Sequence, residues 1–130
     1  MEPARASTPL DCYKAGLAHF GKNNFADAIS EFQKALEGRP NWLDALHALA
    51  TAQSKSGDHD AALATIARVI ASDPDDPFAY TSQSIFYQRK GLIPEAEKAQ
   101  AQARMASWKQ DLKKNPNAPP PDTGPMKVVQ

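Results

Sequence analysis

A repeat of 34 residues is the feature of this sequence that most restricts its fold. Residues 9–42, 43–76 and 77–110 align without gaps. One aligned position holds only small residues and a second holds only alanine: Gly16, Ala50 and Ser84, and Ala28, Ala62 and Ala96. A short helix pair cannot bury its own apolar face, so neighbouring pairs must stack to form a core. We therefore predict an all-α chain of three helix pairs.

Each copy of the repeat is predicted to contain two helices joined by a tight turn, because apolar residues recur at helical spacing on both sides of it. Thr8 and Asp76 each precede a proline, which is typical of a helix start. Asn24 is suited to cap the second helix of the first copy. The turn position holds Asn23, Gly57 and Gly91 in the three copies.

The third copy lacks the proline that closes the other two. Pro40 and Pro74 are aligned with each other and with Trp108. The last helix is therefore predicted to continue to about residue 114, where Asn115 and Pro116 end it. Its extension carries an apolar stripe at helical spacing, formed by Ala101, Met105, Trp108 and Leu112. We interpret Met105, Trp108 and Leu112 as a candidate assembly surface.

The pattern within each copy resembles that of the tetratricopeptide repeat (TPR) family. The first copy matches it with Cys12, Ala15, Gly16, His19, Ala28, Phe32 and Pro40, and residues 25–40 match best. The third copy departs from it, with Gln100 and Trp108 where phenylalanine and proline are usual. The resemblance implies an α-solenoid of three helix–turn–helix (TPR-like) repeats, with an extended last helix and a proline-rich C-terminal tail.

The resemblance and the helix pattern together divide the chain into five segments. These are a flexible N-terminus (1–8), TPR 1 (9–42), TPR 2 (43–76), TPR 3 with the extended helix (77–114) and the tail (115–130). The tail has five prolines in sixteen residues and is expected to be extended. Its run of three prolines is either a spacer or a ligand for an aromatic groove. The last apolar residues (126–129) either dock, on the apolar stripe or on a partner, or stay disordered.

The composition limits the functions open to the chain. Fifteen basic residues balance fifteen acidic ones, whereas nucleic-acid binders normally carry a basic excess. No apolar run approaches the roughly 20 residues that span a bilayer, and the sequence begins without a secretory signal. Cys12 is the single cysteine, which excludes an internal disulfide. We therefore expect a cytoplasmic protein that neither inserts into membranes nor binds nucleic acid.

Charge is distributed unevenly between the repeats. The second repeat has two basic and six acidic residues, and the third, residues 77–110, has five basic and two acidic. This polarity either orients a partner or favours head-to-tail self-association, or it reflects ordinary helix caps and solvated faces.

Patterns that support catalysis or metal binding are lacking in the sequence. His19 holds an interior repeat position, and His59 lies between Asp58 and Asp60 at a helix start, where acids complement the helix dipole. No spacing suits zinc, and the glycines form no phosphate loop. We predict a protein that is not an enzyme and uses no metal or cofactor.

The resemblance implies that partners bind on the first helix of each repeat, along a concave groove. The family's ligand-facing positions select Tyr13, Leu17, Phe20, His47, Thr51, Phe78, Ile85 and Arg89 as the binding residues. Some of these side chains could instead pack between repeats. For Leu17 and Phe20 both interpretations stay open.

One subtype of the family binds the C-terminal tails of heat-shock chaperones through a clamp of lysine, asparagine and arginine. The corresponding positions here hold Tyr13, Leu17, Ala48, Phe78 and Ser82. None of them matches, which argues against a heat-shock chaperone tail as the partner.

We predict a protein–protein interaction module, an adaptor or scaffold that binds a peptide or helix of a partner protein. One alternative is a structural subunit that forms a homo-oligomer, or docks into a complex, through the C-terminal helix and tail. A small secretion or translocation chaperone is a further alternative that follows from the resemblance alone.

Overall fold

The structure, a computed structural model, describes residues 8–121. Within this range the protein consists of helices joined by short turns, followed by a non-helical segment after residue 114. The helices are α1 (Pro9–Gly21), α2 (Phe25–Gly38), α3 (Leu43–Lys55), α4 (His59–Ser72), α5 (Pro77–Arg89) and α6 (Ile93–Lys114). The odd-numbered helices begin at Pro9, Leu43 and Pro77, which lie one repeat of the sequence apart. The predicted all-α helical-repeat fold is confirmed, as is the extension of the last helix to Lys114.

Two compact units make up the chain, and the boundary between them lies within α4, between Thr65 and Ile66. In the first unit α1 packs against α2, and α2 packs against α3. The middle of α4 is linked to α3 by a buried hydrogen bond of 2.7 Å, which the Thr65 hydroxyl donates to Oε1 of Gln53. In the second unit α5 packs along α6.

Side-chain caps fix the starts of α1 and α5. Thr8 and Asp11 form a reciprocal capping box, with bonds of 3.0 and 3.3 Å between each side chain and the other residue's backbone N–H. Asp76 accepts a bond of 2.9 Å from the backbone N–H of Phe78. The predicted caps at Thr8 and Asp76 are confirmed. The expectation for Asn24 is wrong in part, since it is the N-cap residue of α2 but its side chain makes no capping bond.

The turn inside each helix pair needs one residue in the left-handed region. Asn23, Gly57 and Gly91 have φ angles of 63°, 98° and 80°. Glycine adopts this conformation without steric cost, and asparagine is among the few other residues that tolerate it. These three residues therefore align because the backbone of the turn requires a residue that can adopt a positive φ angle at this position.

The helices of the first pair approach closely because α1 has a glycine where α2 presents an aromatic ring. Phe32 is fully buried, and a Cβ atom placed on Gly16 would lie 2.6 Å from its Cδ1 atom. In the third pair the aligned Ser84 is buried and donates a bond of 2.8 Å to the carbonyl of Ala96. Small residues at this position thus let two helix backbones come together in both units.

The chain turns back after α6 instead of extending away from it. Asn115 is the C-cap residue, and its carbonyl accepts a bond of 3.0 Å from the N–H of Ala118. This turn returns Ala118 to α6, where its carbonyl accepts a bond of 3.0 Å from the indole N–H of Trp108. The start of the tail therefore turns back to the helix at residues 115–118, a reversal that the sequence did not indicate. Residues 126–129, for which docking and disorder were both open, lie outside the described residues.

None of the helices within residues 8–121 combines the length and the apolar composition that crossing a bilayer requires.

Candidate protein-binding surfaces

Helix α1 carries apolar side chains that are exposed in the first unit. Leu10 and Leu17 are 47% and 44% exposed, and Tyr13 and Phe20 are half-buried. These four residues are spaced by three, four and three positions, so they share one side of the helix. Leu17 has the largest exposed fraction among the three binding residues predicted on this helix.

Tyr13 belongs mainly to an aromatic cluster. Its ring lies 4.7 Å from the ring of Trp42 and 5.9 Å from that of Phe32, measured between centroids. The Arg39 guanidinium lies 4.2 Å from the centroid of the Trp42 ring and adds a cation–π contact. Tyr13 therefore holds elements of the first unit together, and only part of its side chain is left for a partner.

The environment of Tyr13 raises the pKa of its phenol above the ordinary value of 10.0, first through burial and second through the nearby carboxylate of Asp44. Above about pH 10 the unfolded chain loses this proton more readily than the folded chain, so the free energy of unfolding falls as pH rises. We expect the Tyr13→Phe variant to lose less stability than the wild type between pH 9 and 11. Urea denaturation across this range tests the prediction, and identical pH dependence of the two proteins would contradict it.

Phe20 is engaged within its own repeat. Its ring lies 5.3 Å from that of Phe25 in an edge-to-face arrangement, the geometry that aromatic pairs prefer. Of the two residues for which packing and binding were both open, Phe20 thus has a packing partner and Leu17 is largely exposed.

Helix α3 supplies polar groups in the first unit. His47 and Thr51 are both half-buried. The Thr51 hydroxyl donates a bond of 3.0 Å to the carbonyl of His47 within the same helix. This bond already uses the hydroxyl proton, which leaves the oxygen as an acceptor for a partner.

Helix α5 carries the most exposed aromatic side chain among the described residues. Phe78 is 75% exposed and Ile85 is 39% exposed. They are seven positions apart, two helical turns, and so lie on one side of α5. Arg89, one further turn along, is also exposed. This apolar pair followed by a cation is the clearest candidate anchor in the second unit.

Helix α6 and the start of the tail border a cleft of about 370 Å³ in the second unit. Its walls are formed by Pro77, Thr81, Ala103, Arg104, Ser107, Trp108, Asp111, Pro119 and Pro121. Of this set the sequence indicated Trp108, as part of the apolar stripe, and Pro119 and Pro121, as part of the proline run. The stripe residues Met105, Trp108 and Leu112 are all half-buried. The available signal was a tryptophan in place of the closing proline, followed by a run of prolines.

Asp58, which with Asp60 flanks His59, stabilises the start of α4. Asp58 accepts a bond of 3.1 Å from the backbone N–H of Ala61, and Nδ1 of His59 lies 3.1 Å from the hydroxyl of Ser54. Within residues 8–121 no group of three His, Cys, Asp or Glu residues is arranged to hold a metal ion. The single cysteine, Cys12, is buried.

Repeated helix pairs of this geometry, with exposed apolar residues on their first helices, define a helical-repeat interaction module. Residues 19–82 match the family model of the tetratricopeptide repeat. This part of the chain is tetratricopeptide-repeat sequence, as the resemblance implied. Its fold is that of a protein–protein interaction module.

Two solved structures and one curated protein illustrate the relationship. The crystal structure of MamA superposes with a TM-score of 0.77 at 27% identity, over 82% of this chain and 63% of that one. The first TPR of Spaghetti (RPAP3), bound to the HSP90 peptide SRMEEVD, superposes with a TM-score of 0.70 at 17% identity, over 88% of this chain and 84% of that one. The Photosystem I assembly protein Ycf3 of Synechococcus sp. (strain WH7803) is 25% identical over 97 residues, 72% of this chain. The chain spans only 56% of the length of that protein.

Proposed function

We propose that this chain is a non-enzymatic adaptor that binds a peptide or helix of a partner protein through the first helices of its repeats. The tetratricopeptide-repeat sequence supports a binding role. The observation that carries the proposal is Phe78, a large aromatic side chain left 75% exposed on a regular helix. Large apolar side chains exposed on a rigid element are typical of the anchors at protein interfaces.

The first helices contribute two kinds of side chain to this function. Leu17 on α1 and the pair Phe78 and Ile85 on α5 supply apolar area. His47 and Thr51 on α3 supply polar groups. Full burial of one such apolar side chain contributes about 1.5–3 kcal/mol, so we expect a few of these residues to carry most of the binding energy.

The expected ligand is apolar in character and does not depend on a C-terminal carboxylate. The positions that would form a carboxylate clamp hold Tyr13, Leu17 and Phe78 among others, and these side chains cannot pair with a carboxylate by charge. The peptide SRMEEVD, which the RPAP3 domain binds, is therefore a suitable negative control ligand.

The binding test starts with a benzophenone photocrosslinker at position 78, used in the native host to identify the partner, and then measures the affinity of the purified pair. We expect Phe78→Ala and Leu17→Ala each to weaken binding about tenfold or more, since each removes an exposed anchor. Gln100→Ala, an exposed position on α6, is the matched control and should leave the affinity unchanged. Equal affinity of all three variants, or tight binding of SRMEEVD, would refute the proposed surface.

A second candidate is an assembly function in which α6 and the tail hold copies of the chain, or other subunits, together. The similarity to a protein named for photosystem assembly supports this candidate, and the half-buried stripe of Met105, Trp108 and Leu112 offers a contact surface. Multi-angle light scattering of the wild type tests the version of this candidate in which copies of the chain associate with one another. A molar mass that stays at one chain at every concentration would rule that form out.

A further inference from the structure

A short piece of the chain's own tail borders the cleft of the second unit. Pro119 and Pro121 form part of its wall, and they alternate along the segment. The indole N–H of Trp108 donates a bond of 3.0 Å to the carbonyl of Ala118, which immediately precedes them. The carbonyl of Ala118 is thus hydrogen-bonded to α6, and two prolines of the segment that follows it border the cleft.

This arrangement has the chemistry by which aromatic grooves bind proline-rich peptides. Such a peptide has few backbone donors, so a groove recognises its carbonyls through side-chain donors and its rings through apolar contact. Trp108 supplies the donor, and Pro77 and Ala103 supply apolar wall. An extended proline-rich segment loses little conformational entropy on binding because its conformation is already restricted.

The tail borders the cleft and leaves its interior open. About 370 Å³ remains open beside the prolines, which lies within the usual range of ligand pockets. Arg104 lines this space, and among the described residues its Nη1 atom is buried without a hydrogen-bond partner. Because Arg104 as a whole is only half-buried, its exposed part, and not the buried Nη1 atom, is what an occupant of the open cleft can contact.

We propose that the cleft between α5 and α6 is a binding site for an extended proline-rich segment of a partner protein, which displaces residues 118–121. The tail acts as an intramolecular competitor. Because it is tethered, its effective concentration is in the millimolar range for a short flexible connection. A partner must therefore gain additional contacts, and the unfilled volume beside Arg104 is where the structure provides them. This site is distinct from the Phe78 surface, because Phe78 and Ile85 do not line it.

The test uses the full chain and the indole N–H signals of its two tryptophans in ¹H–¹⁵N spectra, assigned with Trp108→Phe. The variant Pro119→Ser/Pro120→Ser/Pro121→Ser removes the proline rings of the tail. The probe is a capped peptide of sequence NPNAPPPD, which reproduces residues 115–122, and the control peptide is NPNASSSD. A far-UV circular dichroism spectrum establishes that the variant keeps its helices.

In the triple variant we expect the Trp108 signal to move from its wild-type position and to return, saturably, on addition of NPNAPPPD. The wild type should bind the same peptide at least about tenfold more weakly, because its own tail competes. NPNASSSD should have no effect, and Phe78→Ala should not alter the response, which separates this site from the adaptor surface. A Trp108 signal unmoved by the triple substitution, or no peptide response at millimolar concentration, would overturn the proposal. A wild-type dimer that the triple substitution abolishes would also overturn it, since the occupant would then be a second copy of the chain.

Discussion

Replacement of Phe32 by alanine is expected to lower the free energy of unfolding by about 3–5 kcal/mol. The Phe32 side chain is fully buried on α2, where its ring faces Gly16 of α1 and contacts the ring of Tyr13. Truncation removes the transfer free energy of the ring and leaves a cavity that the surrounding helices cannot fill. Urea denaturation followed by far-UV circular dichroism measures the change.

The same chemical change at Phe78 provides the matched control. Phe78 is 75% exposed, so Phe78→Ala should alter the free energy of unfolding by no more than about 0.5 kcal/mol. Comparable losses for the two variants would show that Phe32 does not occupy a tightly packed site.

Replacement of Gly16 by alanine is expected to destabilise the protein by about 1–3 kcal/mol, although alanine is the better helix former. The added methyl group would lie 2.6 Å from Cδ1 of Phe32 and 2.9 Å from its Cζ. Since that ring is fully buried, it cannot move aside without disturbing its other contacts. Denaturation midpoints of the variant and the wild type measure the loss.

Gly21→Ala is the control for Gly16→Ala, because it lies in the same helix and a Cβ atom there meets nothing within 4 Å. It should be neutral or stabilising by up to about 1 kcal/mol. The double variant Gly16→Ala/Phe32→Leu should lose less than the sum of its two single changes, since the smaller side chain makes room for the methyl group. Strict additivity, or a Gly16→Ala variant as stable as Gly21→Ala, would contradict the close packing described for this pair.

The helical-repeat fold could be predicted from the sequence because its signals are local and repeated. The left-handed turn position recurs as Asn23, Gly57 and Gly91, and each of them ends a first helix for the same backbone reason. The cap residues Thr8 and Asp76 likewise act within three positions of themselves. Such features need no knowledge of distant contacts.

The binding surface was less predictable because exposure depends on tertiary partners. Tyr13, Leu17 and Phe20 occupy comparable repeat positions, yet Leu17 is largely exposed while the other two contact aromatic rings. The rings of Trp42 and Phe25, which decide this difference, lie outside the ligand-facing positions that the family pattern defines. Periodicity identifies a side of a helix, but it does not say which side chains another element covers.

The cleft in the second unit could not be predicted because it depends on a reversal of the chain. Trp108 and Ala118 are ten positions apart, and only the turn after α6 brings them together. A proline-rich tail on its own favours an extended path, so its return to the helix follows from the tryptophan donor rather than from composition.

The position shared by Gly16 and Ser84 shows how far the repeats have diverged from one another. The first repeat combines a glycine with the bulky Phe32, and the third combines a serine with Gln100, which is exposed at the aligned place. Ser84 also donates a hydrogen bond to the carbonyl of Ala96, which glycine has no side chain to make. The first copy thus joins its two helices by close packing and the third by a hydrogen bond at the same position. Each matched pair lies within one copy, so exchanging a single helix between the first and third copies would separate the partners, whereas exchanging whole copies would keep them together.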